Sequence, residues 1–136
     1  MSKQPHNVVQ VAAFIKRHWP ASRNDTRKDL IHWAGWHMQR QLIVTVADEM
    51  GRLCGLAMGR LLNGTEEAAT AWLSHENGRL VWIDLIVAKR PEVMPLLVAE
   101  LGRRWGDRAQ VAGNVFLRSG ELRMFPMNRL QQFFRG

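Results

Sequence analysis

The sequence has little of what marks the more easily read protein classes. It holds one cysteine, Cys54, so neither a disulfide framework nor a thiolate zinc cluster is available. No apolar run reaches the roughly 18 residues that a membrane helix needs. Met1 to Gln10 is polar with no apolar centre, which is not the pattern of a signal peptide. A reducing cytoplasm is therefore the expected setting, or a virion if a phage encodes the chain. No repeat, low-complexity tract or Pro/Gly-rich linker divides the sequence, and residues 1–136 read as a single domain. A metal site is not expected either. His32 and His37 stand five apart, where ligands on one helix face need three or four. His6 and His75 lie in polar stretches.

What is present is an ordinary apolar fraction, 46%, and a basic excess of 19 Lys and Arg over 12 Asp and Glu, a net charge of +7. A basic surface draws nucleic acid, anionic membrane or phosphorylated ligands by long-range attraction without choosing among them. It serves equally as solubilising charge. Weak nucleic-acid association is one expectation. The six tryptophans fit it as stacking platforms among arginines. They fit core packing as well, which suits Trp82 and Trp105. No recognised nucleic-acid motif accompanies them.

Val8, Val11, Ala12, Phe14 and Ile15 recur at helical spacing, predicting a helix from about Asn7 to His18 that Pro20 stops. Asp25 or Thr26 caps a second helix from about Arg27 to Gln39, with Leu30, Trp33 and Ala34, and Trp36 or His37, on its apolar side. Gln41–Ala47 and Arg52–Leu62 read as a hairpin around Asp48–Gly51. Gly55 and Gly59 in its second strand signal a bulge or a close backbone approach. A short helix is expected over Glu66–Leu73. Arg79–Val87 is nearly continuously apolar, as in a strand covered on both faces. After the loop Ala88–Glu92, Leu97, Leu101 and Trp105 define a helix from Val93 to Trp105, closed by Gly106. A strand over Ala109–Leu117, a turn at Ser119-Gly120, a pairing arm over Glu121–Phe125 and a terminal helix over Met127–Phe134 complete the order. The expected class is α/β, a mixed and mainly antiparallel central sheet flanked by helices.

Asp84 is the foremost site candidate. A carboxylate inside an apolar strand needs a partner or a raised pKa, so it is either an active-site acid or base or half of a buried ion pair with an arginine. Arg103, Arg104 and Arg108 suit a helix C-terminus, with a phosphate site as the alternative. Cys54 reads as a buried, inert thiol.

This order resembles the GNAT acyltransferase fold. In GNAT enzymes the central strand leads into a loop of the form Arg/Gln-x-x-Gly-x-Gly/Ala, whose N–H groups and helix dipole hold the pyrophosphate of acetyl-CoA. The matching stretch is Arg90-Pro-Glu-Val-Met-Pro95. Arg90 fits the first position and is the candidate cofactor-binding residue. Val93 and Pro95 replace the small residues, Pro95 has no N–H to donate, and Glu92 sets a negative charge beside the anion's place. Three fragments are similar to the RTX toxin-activating lysine acyltransferases, a branch that draws on acyl carrier protein and lacks the glycine loop. They are His18-Trp19-Pro20, Gly78-Arg-Leu-Val-Trp-Ile-Asp84, and the ending from Phe116 to Phe133. That resemblance implies a catalytic histidine and aspartate. Asp84 matches the aspartate, while the histidine's position aligns with Lys16 and His18 follows two residues later. The implied function is acyl transfer to an amine from acyl-CoA or acyl carrier protein, with Asp84 and His18 as catalytic groups. The alternative is a catalytically inactive GNAT-fold component of a larger assembly such as a phage particle, bound to a protein partner. Nucleic-acid association is the third.

Overall fold

The computed structural model describes residues 6–106, together with the backbone of 110–112 and 124–125. The expected Ser119-Gly120 turn, the helix over Met127–Phe134, Arg108 and the fragment from Phe116 onward, apart from the backbone of 124–125, lie outside those residues.

Helix α1 runs Val8–His18 and starts at a capping box, in which Asn7 accepts from the Gln10 N–H and the Gln10 side chain accepts from the Asn7 N–H. A 3-10 turn at Pro20–Ser22 follows. Helix α2 spans Arg27–Gln39, capped by Thr26 rather than Asp25. It ends with Gln41 at φ 58°, while Leu42 N–H donates to His37 O and Gln41 N–H to Met38 O. This double bond pattern closes a helix through one left-handed residue.

Strands β1 (Ile43–Ala47) and β2 (Leu53–Leu62) form the expected hairpin. The Asp48 carboxylate accepts from the N–H groups of Met50 and Arg52, and Gly51 takes φ 78° in the turn. The segment before β3 carries a 3-10 turn at Thr65–Ala69, shorter than the helix expected there. Strand β3 is Leu80–Ala88, α3 is Met94–Trp105, and β4 (Gln110–Ala112) and β5 (Met124–Phe125) follow. The sheet order is β1-β2-β3-β4-β5, antiparallel except for the parallel β3–β4 pair, which covers Leu80 to Trp82. The mixed, mainly antiparallel sheet flanked by helices is the class the sequence predicted.

Two cores lie on the two faces of the sheet. Helices α1 and α2 bury Val11, Phe14, Ile15, Leu30 and Ala34 against Ile43, Leu56, Met58, Leu85 and Val87. Helix α3 buries Leu97, Val98, Leu101 and Trp105 against Ala57, Leu61, Val81 and Ile83. Strict alternation puts residues 81, 83, 85 and 87 of β3 on one face. They divide between the two cores because the register slips. Met58 stands opposite Leu85 and Gly59 opposite Ile83, so Asp84 has no residue across from it on β2. A bulge of this kind redirects the side chains that follow.

Both glycines of β2 act as the sequence suggested. Gly59 sits at this slip, where a Cβ would lie 2.9 Å from the Trp82 carbonyl oxygen. At Gly55 a Cβ would come within 2.6 Å of Val93 Cγ1, so the bare backbone lets α3 approach the sheet.

Candidate functional site

The bulge turns Asp84 toward α2, where two side chains meet it. His37 Nε2 lies 2.8 Å from Asp84 Oδ2. Arg60 Nε donates to both carboxylate oxygens at 3.1 Å. The group is almost fully out of water, with side-chain exposures of 1% for His37, 8% for Arg60 and 10% for Asp84. His37 Nδ1 donates to the Trp33 carbonyl at 2.9 Å. Both ring nitrogens therefore face oxygen acceptors. One proton must sit between Nε2 and Oδ2, because two lone pairs cannot face each other at that distance. The rest of Arg60 is committed too. Its two terminal nitrogens donate to the carbonyls of Thr70 and Ala68, at 2.8 and 2.9 Å, which ties the 65–70 segment to the sheet.

Above this floor is a cavity of about 240 Å³. Its walls are Trp33, Trp36 and Trp72, with Ala68, Ala69 and Ala71 along one side. Trp33 and Trp36 both meet the His37 ring nearly edge-on, at centroid distances of 5.3 and 4.9 Å. Trp72 stands edge-on to Trp36 at 5.6 Å, is 49% exposed, and has φ 61°. Such a backbone is unusual for a bulky residue. The other five tryptophans pack inward: Trp105 is buried in the α3-side core, Trp19, Trp33 and Trp36 are half-buried against the two cores, and Trp82 is half-buried against Leu62 and Leu80.

The remaining sequence candidates lie elsewhere. His18 is not a partner of Asp84. It sits at the C-terminal end of α1 with its ring 4.6 Å from that of Phe14. Partial burial, and then the charges of Arg17 and Lys89, hold its pKa below the usual histidine value. Lys16, at the position aligned with the resembling family's histidine, donates to the carbonyls of Ser22, Arg23 and Asp25 and so stitches the loop after α1. Arg90 is exposed, with Nε 3.5 Å from the Glu92 carboxylate.

The α3 entry differs from a phosphate cradle in a specific way. Pro91–Val93 forms a 3-10 turn in which Val93 N–H donates to Arg90 O and Met94 N–H to Pro91 O. Two amides that an anion needs are thus used inside the turn, and Pro95 offers none. Val93 points inward, 3% exposed, against Gly55. The small residue expected in the loop has in effect moved to the strand.

Cys54 is buried, its Sγ directed at Val46 O, and burial raises its pKa, in keeping with an inert thiol. Among the described residues, no three His, Cys, Asp or Glu side chains gather to hold a metal, and no helix is long and apolar enough to cross a membrane.

The sequence marks Asp84 but not its histidine partner, because the spacing of His32 and His37 speaks only to metal ligation. A usable signal existed. Leu30, Ala34 and His37 share one helical stripe, so a histidine on that stripe needs a polar partner in the core, and Asp84 is a carboxylate in an apolar strand with the same need.

No protein-family model matches the chain, and no curated protein matches it in sequence. One solved structure shares its fold: a "GphF GNAT-like decarboxylase in complex with isobutyryl-CoA", at 17% identity and a TM-score of 0.55. The match covers 82% of this chain and 62% of that one, so the chain spans less than two-thirds of its neighbour's length. The fold is GNAT-like.

Proposed function

We propose that this GNAT-like domain is a binding module, an accessory component of a larger assembly, that holds a small, largely apolar ligand or partner side chain in the tryptophan-walled cavity. The saturation of the cavity floor carries this reading. Both nitrogens of His37 are bonded, Asp84 accepts from two partners, and every nitrogen of Arg60 donates. A network with all members satisfied is a stiff platform, suited to fixing a ligand's orientation. It is poorly suited to general-base work, which needs a lone pair open to the substrate's proton.

The test is a titration with phenol and with isobutyramide, followed by the indole N–H signals of the six tryptophans. The signals of Trp33, Trp36 and Trp72 are expected to move, with those of Trp82 and Trp105 still, and Trp72→Ala is expected to weaken binding several-fold. Uniform movement of all six, or none at tens of millimolar ligand, would overturn the reading.

Acyl transfer to an amine, from acyl-CoA or acyl carrier protein, is the second reading. It is favoured by the shared fold with a protein solved with isobutyryl-CoA. The altered α3 entry speaks against an ordinary CoA grip.

A further inference from the structure

A second cavity, about 460 Å³, adjoins the first across Trp33 and Trp72. Trp19 and Trp33 form one wall, stacked with centroids 5.7 Å apart and planes 16° from parallel. Trp72 forms another, with His32 edge-on to it at 5.2 Å. Asp25 and Asp29 complete the lining with Leu30. Neither carboxylate makes a hydrogen bond or ion pair among the described residues. The nearby Lys16 ammonium is spent on three backbone carbonyls. An acid in the first turn of α2 is explained by the helix dipole. Both carboxylates are exposed, so solvation accounts for their lacking a partner. What sets the place apart is that they line one cavity with a stacked tryptophan pair, on a chain of net charge +7.

We propose that this cavity binds an alkylammonium group. Tryptophan faces attract cations through their quadrupole, more strongly than other aromatics. The two carboxylates add a sign preference that excludes anions. Trp72 keeps a left-handed backbone, unusual for a bulky residue, while its half-exposed side chain lines both cavities. The site shares two walls with the apolar cavity but does not need that cavity's occupant.

The test compares choline with 3,3-dimethyl-1-butanol, in which carbon replaces the ammonium nitrogen, and n-butylammonium with 1-pentanol. Tryptophan fluorescence and the indole signals of Trp19, Trp33 and Trp72 report binding. Each cation is expected to bind at least tenfold more tightly than its neutral counterpart, with added salt weakening it. The double variant Asp25→Asn/Asp29→Asn, checked for an unchanged melting temperature, is expected to erase most of the difference. A preference for choline identifies a quaternary ammonium ligand, and a preference for n-butylammonium a lysine-like one. Equal binding of cation and neutral counterpart, an unaltered preference in the double variant, or no binding of either cation by the folded protein would overturn the proposal. The Trp36 signal, which reports the other cavity, separates this failure from failure of the apolar site.

Discussion

Replacing Asp84 by alanine tests the buried network in full. It leaves Arg60 Nε and His37 Nε2 without their partner, in side chains only 8% and 1% exposed. A buried charge deprived of its partner costs about 3–5 kcal/mol. Domains of this kind are stable by about 5–15 kcal/mol in total, so Asp84→Ala should remove a large share of that. Asp84→Asn is the informative comparison. Its oxygen can still accept from Arg60 Nε, and its amide can donate to His37 Nε2 while Nδ1 stays on the Trp33 carbonyl. One of the two Arg60 Nε bonds goes, and the counter-charge with it, while each neighbouring side chain keeps a partner, for a loss of about 1–3 kcal/mol. Urea unfolding, followed by both circular dichroism and tryptophan fluorescence, measures each variant. Arg60→Met combined with Asp84→Ala should cost less than the sum of the two alone, with a coupling of about 0.5–3 kcal/mol. If Asp84→Ala falls within about 1 kcal/mol of the parent, the three side chains are not a coupled buried unit and the reasoning fails.

Other consequences are smaller and separable. Gly55→Ala should lower stability by about 1–3 kcal/mol through its clash with Val93, with partial recovery in the double variant Gly55→Ala/Val93→Ala, read from urea midpoints. Gln41→Gly should raise stability by about 0.5–1 kcal/mol, because φ 58° costs glycine nothing and the backbone bonds remain; a lower melting temperature would contradict the helix ending described. The folded pKa of His18 lies below its unfolded value, so the unfolded chain takes up the proton first and stability falls as pH drops through about 6.5. His18→Gln should flatten the stability profile between about pH 7 and the lower folded pKa, and an unchanged slope there would assign the effect to another group.

Much of the fold was legible because the local signals agree with the tertiary structure. The stripe of Val11, Phe14 and Ile15 gave α1, and the chain reversal at Asp48–Gly51 gave the hairpin. Leu97, Leu101 and Trp105 gave α3. Gly55 and Gly59 pointed to close approaches without saying what approached. That depends on Val93 and Trp82, residues 38 and 23 positions further on, which sequence periodicity cannot pair. The bulge at Asp84 was hidden for a related reason. An apolar strand buried on both faces has no alternation for a slipped residue to break. Asp84 is visible in the sequence as an anomaly, but its partner is not, because the motif likeness points to His18 while nothing in the spacing of His37 points to a carboxylate 47 positions away. The three-tryptophan cavity depends on how the 65–72 segment folds over α2, and Arg60 sets that through two carbonyls no pattern predicts.

The central claim is that a saturated floor binds without reacting. Its most direct test is to incubate the protein and its Asp84→Asn variant with n-butylamine and either isobutyryl-CoA or an isobutyryl-loaded acyl carrier protein, and to measure amide product by mass spectrometry. The account predicts amide formation no faster than in buffer alone, from either donor. Amide formed faster by the parent than by Asp84→Asn would contradict it and establish acyl transfer at that carboxylate.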